Sequence, residues 1–343
     1  MTGFSRRTYL KTCGAASIVG LAGCLGGDDD DDEDAFPTEE ITWIVPYGEG
    51  GGFDTYAREA LAQGWEDVLA DETGQDVDIV IDNQPGGGGV QGNEQVYSAD
   101  GDGHTIGMAN IPGFVQNQLF QDVNYDMTEM PGLGRFTQSV WHLLMDPDNA
   151  VDDVEELSDW DEVSFGNTGV GSTGWYTTVV LADHYDINHS IVSGYDSLAT
   201  DAPQSVLQGE NDALIAPFAN TSGFLEDGDL VSVLAWADEE VTATFDAPIT
   251  GDISGLEAWA NAFNVSRVAV TSPGVDDDIV ETLSDTLWEV IGSDEYEDWG
   301  IETNNPVNQP ADGAAVDDLI LDSFDQLEDF EDVIQAEFDE EGE

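Results

Sequence analysis

Lysine and arginine are almost missing from this chain: six in 343 residues, against 74 aspartates and glutamates. Arg6, Arg7 and Lys11 fall at the start, so the remainder carries only Arg58, Arg135 and Arg267 and no lysine. Nothing forms a basic stripe able to neutralise phosphates, which excludes nucleic acid as a partner. Cysteine is as scarce, with Cys13 and Cys24 the only two. Long apolar runs are lacking too. The N-terminal apolar stretch, about twelve residues, falls short of the roughly 20 needed to span a bilayer.

What is present argues for a folded protein. Apolar residues make up 40% of the chain, and nine Trp and fourteen Phe are spread through periodic segments rather than segregated, unlike an acidic disordered chain. The net charge of -68 destabilises a compact state by self-repulsion in dilute buffer. In molar salt the Debye length falls to about 3 Å and the repulsion is screened. An acidic surface suited to high salt, as in a halophilic archaeon, is therefore expected. The length accommodates two domains.

The first residues read as an address. Ser5 to Lys11, SRRTYLK, resembles a twin-arginine export signal, and Leu21-Ala22-Gly23-Cys24 resembles a lipobox. In lipoproteins, cleavage precedes the cysteine and its sulfur is lipidated. The expected order is a signal peptide over 1–23, then a lipidated Cys24 and a solvated acidic tether over 24–38. With Cys13 removed and Cys24 as the anchor, no disulfide is possible in the mature chain.

Beyond the tether, Ile41, Trp43, Ile44 and Val45 form an apolar run suited to a buried strand. A glycine-rich turn follows, then apolar residues at helical spacing (Ala57, Ala60, Leu61, Trp65, Val68, Leu69), with Gly74 as the cap. Strands are predicted within Val77–Gly89 and His104–Asn110. The β-α-β-β order argues for an α/β sheet with a parallel component. A second strand, glycine turn and helix follow in VSFGNTGVGSTGWYTTVVLADHY, and Leu230–Ala237 reads as a further strand. From Asp276 the chain reads as helices, with a stripe from Val316 to Ile334 and an expected frayed end from Phe338.

Two glycine loops are the chemical candidates. In Pro46–Asp54, glycines between strand and helix let backbone N–H groups face an anion, with Asp54 capping the helix or holding the loop. In Phe165–Trp175, Gly169, Gly171 and Gly174 have the spacing of a dinucleotide turn, weak evidence by itself; a carboxylate cradle fits an exported protein better. Val170 breaks the G-x-S-x-G pattern around Ser172. The four histidines lack metalloprotease spacing. Asp100–Gly103 hints at a calcium loop, but its twelfth position is Ile111 where an EF-hand needs Glu. No catalytic residue, metal or cofactor is expected. Arg58 reads as a surface or packing residue, while Arg135 and Arg267 find no place in this reading.

ITWIVPYGEGGGFDTYAR is similar to the opening of the substrate-binding proteins of tripartite tricarboxylate transporters, the TctC or Bug family. VIDNQPGGGG, DGDGHTIGMAN, FGNTGVGST and SGYDS with VLQGENDALI are similar to its later motifs, so the resemblance covers about Ile41 to Thr303. The chain departs from the pattern at Phe53, at Asp196 and in a longer acidic C-terminal region. The resemblance implies a two-lobed periplasmic-binding-protein fold of type II, with the ligand cleft between lobes. The expected lobes are 39–145, 146–234, and a return to the first lobe with C-terminal helices over 235–343.

Carried over by position, the first lobe offers Tyr47, Gly48, Gly50, Gly51, Gly52, Asp54, Asn110 and Ile111 to the ligand. The second offers Asn167, Thr168, Gly169, Gly171, Ser172, Thr173, Tyr195 and Asp212. Two opposed glycine loops would supply positive potential without lysine. The implied function is a lipid-anchored extracytoplasmic receptor, haloarchaeal in type and monomeric, delivering a small carboxylate to two integral membrane subunits. A secreted hydrolase using Ser172 and a ligand-binding module for sensing stay open at this point.

Overall fold

The structure, a computed structural model, describes residues 36–341 apart from 238–246, 257–258, 260–262 and 304. The expected export signal, Cys24 and most of the expected tether lie outside the described residues. Two sheets organise the rest. The first is built from β1 (Ile41–Val45), β2 (Ile79–Asn83), β3 (Thr105–Ile111), β4 (Gly132–Ser139), β10 (Val265–Thr271) and β11 (Ala311–Asp312), in the order β11-β4-β10-β3-β1-β2. The second holds β5 (Trp141–Met145), β6 (Val163–Asn167), β7 (His189–Ser193), β8 (Ala213–Pro217) and β9 (Val231–Ala235), in the order β7-β6-β8-β5-β9.

The two sheets share one plan. β1 runs parallel to β2 and β3, and β6 runs parallel to β7 and β8. An antiparallel strand then intervenes, β10 beside β3 and β4 in one sheet, β5 beside β8 and β9 in the other. Each lobe thus takes its inserted strand from a segment that has just crossed from its partner. β5 falls within the segment 39–145 assigned above to the first lobe, yet it pairs in the second sheet. It is a fully buried run, apolar apart from His142, and such a run carries no local mark of which sheet will accept it.

The glycine-rich turn after β1 leads into a helix in three parts: α1 (Gly52–Thr55), a π-helical stretch Tyr56–Leu61, and α2 (Ala62–Thr73). Gly74 ends it in the left-handed conformation at φ 71°, its N–H bonded to Ala70. The predicted apolar face turns inward. Trp65 packs edge-on against Trp43 at 5.4 Å, and its indole N–H donates to Thr286 at 2.9 Å. Further helices are α3 (Val90–Tyr97), α4 (Gly113–Phe120), α5 (Thr173–His184), α6 (Asp201–Leu207) and α7 (Phe218–Asp227). The C-terminal region adds α8 (Asp277–Ile291), α9 (Asp294–Thr303), α10 (Gly313–Glu328) and α11 (Glu331–Glu341).

The predicted stripe from Val316 to Ile334 is therefore two helices, α10 packing on β4 of the first sheet and α11 on α5 and α4. The chain end is not frayed from Phe338: helix continues to Glu341, because Phe338 finds aromatic partners in the second lobe.

Candidate functional site

Between the two sheets lies a cavity of about 620 Å³. Its first-lobe wall carries Tyr47 and Phe53 from the turn after β1, Asn110 from β3 and Arg267 from β10. Its second-lobe wall carries Thr168, Gly169, Gly171, Ser172 and Thr173, the loop between β6 and α5, with Trp141 beside it. Of the residues expected at the ligand, Tyr47, Asn110 and this second-lobe run are thus brought together.

The others support the walls rather than line them. Asn167 holds the second-lobe loop from behind: its Oδ1 accepts from the Ser172 hydroxyl at 2.6 Å and from the Gly169 N–H at 3.3 Å. Asp212 turns away, accepting from the Ser164 N–H and hydroxyl at 2.9 and 2.6 Å. The Tyr195 hydroxyl accepts from Asn211 at 2.6 Å, beside a separate groove on the second lobe. Ile111 is core.

In the first-lobe loop, Gly48, Gly50, Gly51 and Gly52 are not among the residues lining the cavity, and Gly48, Gly50 and Gly52 are exposed. The buried Asp54 carboxylate accepts the Gly50 N–H at 2.9 Å and is clasped by Arg58 at 2.9 Å. Arg58 also donates to Asn83, which donates to the Tyr47 carbonyl at 3.0 Å. Asp54 is therefore the latch of this loop. Burial alone pushes its carboxyl up, but hydrogen bonds from Arg58, the Gly50 N–H and Asn83 outweigh it and hold the group below the ordinary carboxylate value.

A depressed folded value means this stabilisation is full above the unfolded pKa, about 3.9, and is lost as pH falls through the folded value. Asp54→Asn should cost about 1–3 kcal/mol near neutral pH. The gap from wild type should narrow below pH 4, as read from urea midpoints between pH 2.5 and 7.

The positive charge of the first wall comes from a residue that sequence reading left unplaced. Arg267 lies deep in the cleft with part of its side chain open to the cavity. Its guanidinium sits over the rings of Phe53 and Tyr56, at 5.1 and 5.3 Å, and donates to Ser139 at 3.1 Å. Its Nε has no hydrogen-bond partner, and among the described residues it joins no ion pair. Burial pushes its pKa down, while nearby tyrosines oppose the shift; an arginine starts high enough to keep its charge regardless.

Gly52 lies close to this guanidinium: a Cβ there would come within 3.2 Å of Arg267 Nη2. Arg267 thus adds a positive charge to the first-lobe wall beside the glycine loop expected there. Gly50 spends its amide on Asp54, and an arginine carries the first lobe. Burial raises the Tyr47 hydroxyl to about 12, despite the opposing effects of Asn110 and Arg267, so it stays a donor. Other buried polar atoms without partners gather here, among them Asn110 Oδ1 and Trp141 Nε1. Gly87 and Gly88 also line the cavity; their motif was visible in the sequence, but its place in the wall was not.

The G-x-G-x-x-G spacing dissolves into three separate roles. Gly169 has open space where a Cβ would be; Gly171 adopts φ 75°; Gly174 lets α5 approach Asn167 and the Ile215 carbonyl. Ser172 caps α5, accepting the Trp175 N–H at 3.3 Å. Among the described residues lining the cavity there is no histidine to activate it.

Comparison with known proteins agrees with this architecture. A TctC solute-binding protein from Polaromonas superposes with a TM-score of 0.69 at 18% identity, covering 88% of this chain and 99% of that one. MatC from Rhodopseudomonas palustris, with bound malate, gives 0.64 at 20% identity, over 87% and 100%. A second R. palustris protein, with adipate, gives 0.63 at 19%, over 87% and 98%. At these identities the likeness speaks to the fold.

In sequence, a UPF0065 protein of Bordetella pertussis is 24% identical over 80% of this chain and 85% of its own. A UPF0065 protein of Pseudomonas sp. strain P51 is 40% identical, but over only about a quarter of either chain. The sequence pattern described as "Tripartite tricarboxylate transporter family receptor" matches residues 61–318. With both sheets, their shared plan and the cleft between them in place, that match means the chain belongs to the TctC family of tripartite tricarboxylate transporter receptors.

Proposed function

We propose that this chain captures a small organic acid in its interlobe cleft and delivers it to the membrane subunits of a tripartite transporter. The observation that carries the reading is Arg267, an arginine in the cleft with no carboxylate partner among the described residues, in a chain nearly devoid of cations. An anionic ligand supplies the missing partner. A bidentate carboxylate suits a guanidinium, and the second carboxylate of a dicarboxylate would meet the second-lobe loop at the N-terminus of α5, where the helix dipole favours negative charge. The malate and adipate held by related folds are acids of this kind. Tyr47, Asn110 and Thr168–Thr173 complete the proposed site, with Asn167 and Asp54 holding its loops.

The delivery route follows from the N-terminal reading. Twin-arginine export, lipidation at Cys24 and the acidic tether would hold a monomeric receptor at the outer face of the membrane, where two integral subunits accept the ligand. No helix among the described residues is long and apolar enough to cross a membrane.

The test is the thermal midpoint of the chain in molar salt with malate, succinate, adipate, citrate, glutamate, NAD or buffer alone. A ligand present at 100 times its Kd stabilises by about 2.7 kcal/mol. A shift with one class of acid supports the reading and narrows the ligand. A shift with NAD alone overturns it.

A further inference from the structure

The family pattern ends at residue 318, whereas α11 begins at Glu331. This last helix crosses from one lobe to the other. α10 before it packs on β4 of the first sheet; α11 itself packs on α5 of the second lobe and on α4 of the first. Ile334 is fully buried, and Phe330 meets Trp259 and Phe263 at 5.7 Å each. These contacts fix the helix so that Phe338 arrives beneath the second-lobe loop.

There its ring lies 4.6 Å from Trp175 and 6.0 Å from Tyr176, both fully buried. These two residues anchor the loop. The Trp175 N–H donates to the Ser172 hydroxyl, and the Tyr176 N–H to the Ser172 carbonyl at 3.0 Å. Phe338 Cζ is also 3.8 Å from the point where a Gly171 Cβ would sit. The loop therefore rests on an aromatic floor, part of which is supplied by a helix that follows the residues matched by the family pattern. A glycine-rich loop has little side-chain packing of its own to hold its shape.

We infer that α11 is a positioning element for the ligand loop of the second lobe, acting through Phe338 on Trp175, Tyr176 and Gly171. The link to ligand affinity rests on the receptor reading above; the link to loop order does not. Because a loop's local opening can be followed by amide exchange independently of the whole fold, the two can be tested apart.

The experiment is hydrogen exchange of the full chain without ligand, in molar salt, comparing wild type, Phe338→Ala, Phe338→Leu and Glu337→Gln. In Phe338→Ala, exchange over Gly169–Thr173 should rise by about tenfold or more, with the first-lobe loop Tyr47–Asp54 unchanged. Phe338→Leu should restore most of the protection. Glu337→Gln, which alters the 3.6 Å contact with His189, should leave the loop as it was. Unchanged exchange in Phe338→Ala overturns the inference, as does an equal rise in both loops. Malate affinity by calorimetry is the second readout: a Kd raised about tenfold in Phe338→Ala and recovered in Phe338→Leu extends the role to binding. If wild type does not bind malate, the reading of malate as a ligand fails while the exchange data still decide the loop.

Discussion

Arg267→Gln should weaken capture of the organic acid by about 30-fold to several thousand-fold, the range expected when one partner of a buried charged contact is truncated. The same substitution should leave the unliganded protein nearly as stable as before. In the free protein the guanidinium is largely withdrawn from water, yet among the described residues its partners are Ser139 and the faces of Phe53 and Tyr56. Each ring contact returns about 0.5–2 kcal/mol, set against the desolvation of a charge with no counter-ion. Removing that charge relieves the desolvation along with the ring contacts, so the net change should stay within about 1 kcal/mol. Calorimetry with the acid identified by the thermal panel, and midpoints measured without it, would show affinity and stability parting company. Wild-type affinity in Arg267→Gln would remove the main support for an anionic ligand.

Gly171→Asp should be nearly as damaging, from the opposite wall. Gly171 stands at φ 75°, where an L side chain is strained by about 1–2 kcal/mol. Its new Cβ would fall 2.9 Å from Gln121 Nε2 and 3.6 Å from the Tyr176 hydroxyl. More important is the added carboxylate, set where a carboxylate of the ligand should rest. Two such charges about 4 Å apart repel by roughly 4 kcal/mol at an effective dielectric of 20, so binding should fall by about a thousandfold.

The neighbouring Gly169 supplies the control. Gly169→Ala meets nothing within 4 Å and should bind within a few-fold of wild type. If Gly171→Asp binds normally, the second wall does not hold the ligand. If Gly169→Ala is as damaging, the spacing of the glycines matters in a way the loop's geometry does not explain.

Much of the site could be read before the fold was known, because its loops are local. A strand, a glycine turn and a helix follow one another directly at both Ile41–Thr73 and Val163–His184, and periodicity with turn chemistry marks such units. Gly74 as a cap belongs to the same short-range logic, whereas Asn110 near the loop came from the resemblance. Arg267 could not be read this way. It sits on a strand with no motif, brought to the cleft only because β10 inserts between β3 and β4, some 130 to 160 residues away in sequence.

Asp212 and Tyr195 show the reverse. Resemblance placed them at the ligand, but their side chains find nearer partners in Ser164 and Asn211. Phe338 fell in a tail whose composition suggests fraying. What orders it is the aromatic surface of the other lobe, which no local pattern of the tail reveals.

The insertion of β10 also bears on how the molecule is made. The second sheet comes from one unbroken stretch, Trp141 to Ala235, whereas the first joins strands from both ends of the chain. During synthesis, β3 and β4 must leave open the place between them until Val265–Thr271 has emerged. The lobe encoded first is thus the lobe finished last, and its unpaired strand edges are the ones exposed to stray pairing in the interval. Any step that needs the finished protein would have to wait for nearly the whole chain.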